Sequence, residues 1–127
     1  MNAGVAYGLK EVFRRLVMKR VIELSELETY VKKFNERHEA RPVTLRLIQG
    51  TTQMTEGERI PLLGLDVERG PSGAVDVEIL LGDDEKRHVA HTVKDVERVE
   101  VETEKGNRET RLIVESRSGE QAIMRLV

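Results

Sequence analysis

Residues 86–102 read KRHVAHTVKDVERVEVE and hold two of the chain's three histidines, His88 and His91, at an H-x-x-H spacing. On one face of a helix two such imidazoles could hold a transition metal, and a single histidine in a pocket could act as a general base. The neighbouring residues argue against the first. Valine and threonine on either side favour a strand, where successive side chains alternate, so His88 and His91 point to opposite faces and cannot chelate one ion. The third histidine, His38, falls at the end of a helical segment, on its apolar side. With no cysteine in the chain and no acid at ligand spacing, no metal is expected. His91 shares its face with Val89 and Val93 and is read as a partly buried histidine bonded to a backbone carbonyl. Carboxylate pairs such as Asp83-Asp84, or Asp66 with Glu68, are read as turn and surface residues, since no nucleophile sits at a telling distance. There is no G-x-G-x-x-G or G-K-[ST] phosphate loop. No catalytic residue, cofactor or metal is therefore expected, and the chain reads as non-enzymatic.

The elements that must position these residues follow from periodicity. Val5, Leu9, Val12, Phe13, Leu16 and Val17 fall within an arc of about 140° at helical spacing, which predicts an amphipathic helix ending near Met18. Ser25-Glu26-Leu27-Glu28 has the pattern of a capping box, and Leu27, Tyr30, Val31 and Phe34 then share one face. Arg41-Pro42 ends that segment, so a helix is expected over 26–38. From Pro42 the period changes to two. Strands are expected around Val43–Leu47, around Leu62–Val67 with a bulge or bend at Gly64, and over Val75–Leu81. Gly70-Pro71-Ser72-Gly73 and Gly82-Asp83-Asp84 are turns, and Arg117-Ser118-Gly119 joins two final strands as a hairpin. Past Val93 the alternation slips: Val96 is even while Val99 and Val101 are odd. One unbroken strand cannot bury all of them. A 3-10 turn over Lys94–Glu97 is expected to restore the register. Val96 would anchor that corner.

The chain's 127 residues suit one domain, divided into an N-terminal amphipathic extension, 1–18, and a single α+β domain, 19–127. Two Phe, two Tyr and no Trp leave a core of Val, Leu and Ile. No apolar run is long enough to cross a membrane, no secretory leader is evident, and the lack of cysteine fits a reducing cytoplasm. A net charge of −2 argues against a general nucleic-acid binder, although residues 1–20 carry Lys10, Arg14, Arg15, Lys19 and Arg20 against one acid, Glu11.

Two resemblances bear on the fold. From Lys19 onward, Phe34, His38, Val43, Thr44 and Leu45, then Pro61-Leu62-Leu63-Gly64, Val77-Glu78-Ile79, Leu81-Gly82 and His91-Thr92-Val93, the chain resembles an uncharacterised bacterial family without an assigned function. More loosely, an N-terminal helix followed by Val43-Thr44-Leu45-Arg46-Leu47-Ile48-Gln49-Gly50 is similar to the start of Sm-like RNA-binding proteins. Their aromatic-plus-Asn base-stacking segment and their Arg-Gly pair have no counterpart here, so this resemblance implies a fold and not a function. Together with the corner after Val93 it implies a mainly β, α+β architecture: a strongly bent antiparallel sheet forming an SH3-like or Sm-like, partly open barrel plus a C-terminal hairpin. A flatter meander with helices on one face is the alternative.

The leading functional expectation is a non-catalytic interaction or self-assembly module. Leu9, Val12, Phe13 and Leu16 form its candidate interface, and a homodimer its expected state, with a further protein partner possible. An Sm-like RNA-binding role is the alternative, and an enzyme of unidentified type is third.

Overall fold

The chain from Pro42 onward, rich in alternating valine, leucine and isoleucine, supplies seven of the eight strands of one antiparallel sheet in the computed structural model, which describes residues 17–83 and 87–126. The strands are β1 (Met18–Ile22), β2 (Pro42–Gln49), β3 (Thr52–Arg69), β4 (Val75–Gly82), β5 (His88–Val93), β6 (Val96–Glu104), β7 (Arg108–Ser116) and β8 (Gln121–Leu126). The one α-helix among the described residues, α1 (Leu27–His38), follows a 3-10 turn at Leu24–Glu26. The expected N-terminal helix, with Leu9, Val12, Phe13 and Leu16, lies outside the described residues. No described helix is long and apolar enough to cross a membrane.

The strand order is β1-β6-β7-β8-β2-β3-β4-β5, with every pairing antiparallel. The sheet bends because β3 carries extra residues. Val43 pairs with Ile60 and Leu45 with Gly57, which leaves one surplus residue on β3 near Arg59, whose φ is +54°. Glu56 is a second, between the Leu45↔Gly57 and Arg46↔Thr55 pairs, and a third, Leu63, lies between the Leu62↔Leu81 and Gly64↔Leu80 pairs, at the bulge expected around Gly64. Such insertions sharpen the local twist. The first half of β3 thus pairs with β2 and the second half with β4, so β4 and β5 fold back toward β6 and β7. No ladder joins β1 to β5 among the described residues, which leaves the sheet partly open.

The C-terminal hairpin is present, but it does not hang beyond the sheet. Its two strands are inserted between β6 and β2. Val43, Leu45, Val77, Ile79, Leu81, Val99, Val101, Leu112, Val114 and Met124 face inward from both halves of the bent sheet, and Leu27, Val31 and Phe34 of α1 close the core.

Two local expectations change. The capping box does not form: no side chain caps the start of α1, because the 3-10 turn occupies that position and Glu28 turns outward to Arg69. That bidentate pair, at 2.6 and 2.9 Å, holds the Glu28 carboxyl down at about 2, mainly through the Arg69 hydrogen bond. The corner after Val93 is not a 3-10 turn either. A single residue, Asp95, with φ +51°, turns the chain and resets the register. Its backbone N–H donates to Asp76 Oδ1 at 2.9 Å and its carbonyl accepts from Arg117 N–H at 2.9 Å. Val96 is buried at this corner, as the phase slip requires.

Candidate functional site: a cationic groove on a buried glutamate

Glu109 is 9% exposed at the start of β7, a position that strand alternation denies it. Leu112 and Val114 face the core, so counting back by two would bury Thr110 and expose Glu109. A bulge reverses this: Glu102 pairs with Arg111 but Thr103 pairs with Glu109, which leaves Thr110 as the surplus residue. The Thr110 hydroxyl donates to the Glu102 carbonyl, and Glu109 turns inward beneath α1.

There it meets one face of the helix. Arg37 donates from Nε to Oε1 at 2.8 Å and from Nη2 to Oε2 at 2.9 Å. The Tyr30 hydroxyl donates to Oε2, and His38 Nε2 lies 2.7 Å from Oε1. Arg41 Nη1 sits 3.2 Å from His38 Nδ1. A guanidinium only donates, so Nδ1 accepts and Nε2 carries the proton given to Glu109. Burial by itself would raise the Glu109 pKa, but the bonds from Arg37, Tyr30 and His38 outweigh it and hold the carboxyl below its ordinary range. Tyr30 moves the other way: burial, then the neighbouring Glu109 carboxylate, push its hydroxyl well up. Both Glu109 oxygens, the Tyr30 hydroxyl and both His38 nitrogens are therefore engaged. The cluster is a rigid, charge-compensated brace between α1 and β7.

The brace forms one wall of a groove of about 1260 Å³ between α1, β1 and the β6–β7 turn. Six cations line it, Lys19, Arg20, Lys33, Arg37, Arg41 and Arg108, against three acids, Glu23, Glu26 and Glu109. Arg37 is matched by Glu109, and Arg108 by Glu104 at 2.9 Å. Lys19, Arg20, Lys33 and Arg41 have no carboxylate partner among the described residues. Arg20 lies instead over the Tyr30 ring, 5.7 Å from its centroid, as does Arg37. Positive charge is thus concentrated on one face of a chain whose net charge is −2.

The histidines singled out in the sequence are not brought together. His38 belongs to the Glu109 brace, whereas His91 pairs with Glu120 in the β7–β8 turn, Nε2 to Oε1, at 2.6 Å. The partner of His91 is thus a carboxylate rather than the expected backbone carbonyl, because β5 crosses near the hairpin. His88 and His91 do fall on opposite faces of β5. No group of three His, Asp or Glu side chains suited to a metal occurs among the described residues. Glu109, Arg37 and Arg41 were not singled out from the sequence. The only signal for Glu109 was its place in the Glu109-Thr110-Arg111 run before a clean strand, which does not by itself reveal a bulge.

Fold and site together define a bent, partly open antiparallel sheet on which α1 borders a basic groove. Comparison of the chain with known protein families, with characterised proteins and with solved structures finds no match.

Proposed function

We propose that this chain is a non-catalytic interaction module and that its groove binds an acidic partner. The observation that carries this reading is the set of four cations, Lys19, Arg20, Lys33 and Arg41, without carboxylate partners among the described residues and lining one groove of an acidic chain. A surface arranged in this way attracts and orients a partner of opposite charge. The commitment of Glu109, Tyr30 and His38 to one another supports a binding role over proton transfer. A ten-residue oligoglutamate, labelled and titrated by fluorescence anisotropy, should bind with an affinity that falls as salt rises. The double variant Lys33→Glu, Arg41→Glu should weaken it at least tenfold. Binding that ignores both salt and this variant would remove the groove from the reading.

RNA is the competing anionic ligand. Of the two rings lining the groove, Tyr30 is bonded to Glu109 and flanked by Arg20 and Arg37, and His38 is buried, so neither is well placed as a stacking platform. Oligouridylate is therefore expected to bind more weakly than oligoglutamate at equal charge. The proposal also includes a cytoplasmic setting, in keeping with the absence of cysteine, and self-association through Leu9, Val12, Phe13 and Leu16. Light scattering of the whole chain should report a dimer, and Leu9→Asp with Phe13→Asp should halve that mass. An unchanged mass would rule out this interface.

A further inference from the structure

We infer that β1 takes its acidic partner as an added strand, so that the ligand is an extended acidic peptide lying along the free edge of the sheet. This rests on the groove reading above and specifies how the groove is filled. β1 is the terminal strand of the sheet, and its only ladder among the described residues is with β6, from Met18↔Thr103 to Ile22↔Val99. In such a ladder alternate residues turn their N–H and C=O groups away from the neighbour, which presents a template for another strand. That edge also borders the groove, which β1 bounds along its whole length.

The side chains select the incoming strand. Arg20 lies over Tyr30 in the groove, while Val21, on the opposite face of the strand, is 45% exposed. An added strand with acids on its groove side would set them against Arg20 and Lys33, and apolar residues on its other side would lie beside Val21. A second copy of β1 fits poorly. Antiparallel self-pairing centred on Arg20 would oppose Arg20 to Arg20, and like charges directly opposite destabilise a ladder. Basic residues 10, 14 and 15 add further positive charge to the sequence entering β1. Backbone pairing supplies affinity in this mode and the alternating side chains supply specificity.

The test uses the whole chain and a blocked ten-residue peptide of alternating glutamate and valine. It should bind at least tenfold more tightly than a block peptide with five glutamates followed by five valines. Two versions, N-methylated on the glutamates or on the valines, should differ at least tenfold in affinity, because only one set of amides faces β1. Hydrogen exchange of residues 18–22 should slow on binding. If both methylated peptides bind as well as the parent and exchange in β1 is unchanged, strand addition is overturned while the cationic groove stands. If none of the peptides binds at low salt, the groove reading itself fails.

Discussion

A carboxylate that is nearly buried and accepts four hydrogen bonds has to remain ionised, and Glu109 is supplied with donors by about two turns of α1, from Tyr30 to His38. Glu109→Gln keeps the shape but loses the charge-assisted bonds from Arg37, at a cost of about 2 kcal/mol. Chemical denaturation at neutral pH would measure it. The pH dependence has a definite sign. The folded pKa of Glu109 lies below its ordinary 4.5, so its contribution is complete above that value and is lost as pH falls through the folded value. Melting temperature should therefore drop on acidification below about 4.5, and this drop should be shallower in Glu109→Gln. A second residue acts purely through the backbone. The Asn35 amide donates to the Leu65 carbonyl at 3.0 Å and accepts from the Leu65 N–H at 2.9 Å, pinning α1 to the bend of β3. Asn35→Ala leaves both groups unpaired and should cost about 1–3 kcal/mol by the same measurement.

Elements here are shaped by single surplus residues. Thr110 turns Glu109 inward, Leu63 and the residue near Arg59 bend β3, and Asp95 redirects the chain between β5 and β6. The corner at Asp95 makes a graded prediction. Val96 is 2% exposed, whereas Glu97 and Arg98 face solvent. Val96→Asp buries a charge without a partner and should cost about 3 kcal/mol or more. Glu97→Asp and Arg98→Asp should stay within about 1 kcal/mol of the parent. Equal losses at all three positions, read from urea midpoints, would mean that the corner is held by its backbone bonds to Asp76 and Arg117 rather than by Val96.

At the scale of the whole molecule, the hairpin is the piece that completes the sheet. β8 lies between β7 and β2, and Leu112, Val114, Ala122 and Met124 are all at most 1% exposed. A chain ending at Gly106 would therefore uncover those apolar contacts and free the inner edges of both β6 and β2. It should show no cooperative thermal transition, whereas an appended hairpin could be removed with the transition intact. Calorimetry of the shortened chain distinguishes the two. The pairing of His91 with Glu120 ties the same hairpin to β5 and helps hold the two halves of the bent sheet together.

Local pattern was sufficient for much of this protein. Alternation at period two located the strands from Pro42 onward apart from the first half of β3, and it did not reveal β1; the apolar face of Leu27, Val31 and Phe34 located α1, and the slip between Val93 and Val99 located the corner. These are short-range consequences of which side chains must leave water, so they are legible without partners. Strand order was not legible, because nothing local tells β2 to pair with β8, and sequence-distant strands choose partners by how the whole sheet closes. The Glu109 brace was hidden for a related reason. A bulge costs one unmatched residue, and it is tolerated here because Arg37, Tyr30 and His38 arrive from more than seventy residues away to compensate the buried charge. The groove exists only where that brace, β1 and the cations of α1 meet, and only the tertiary structure brings them to one place.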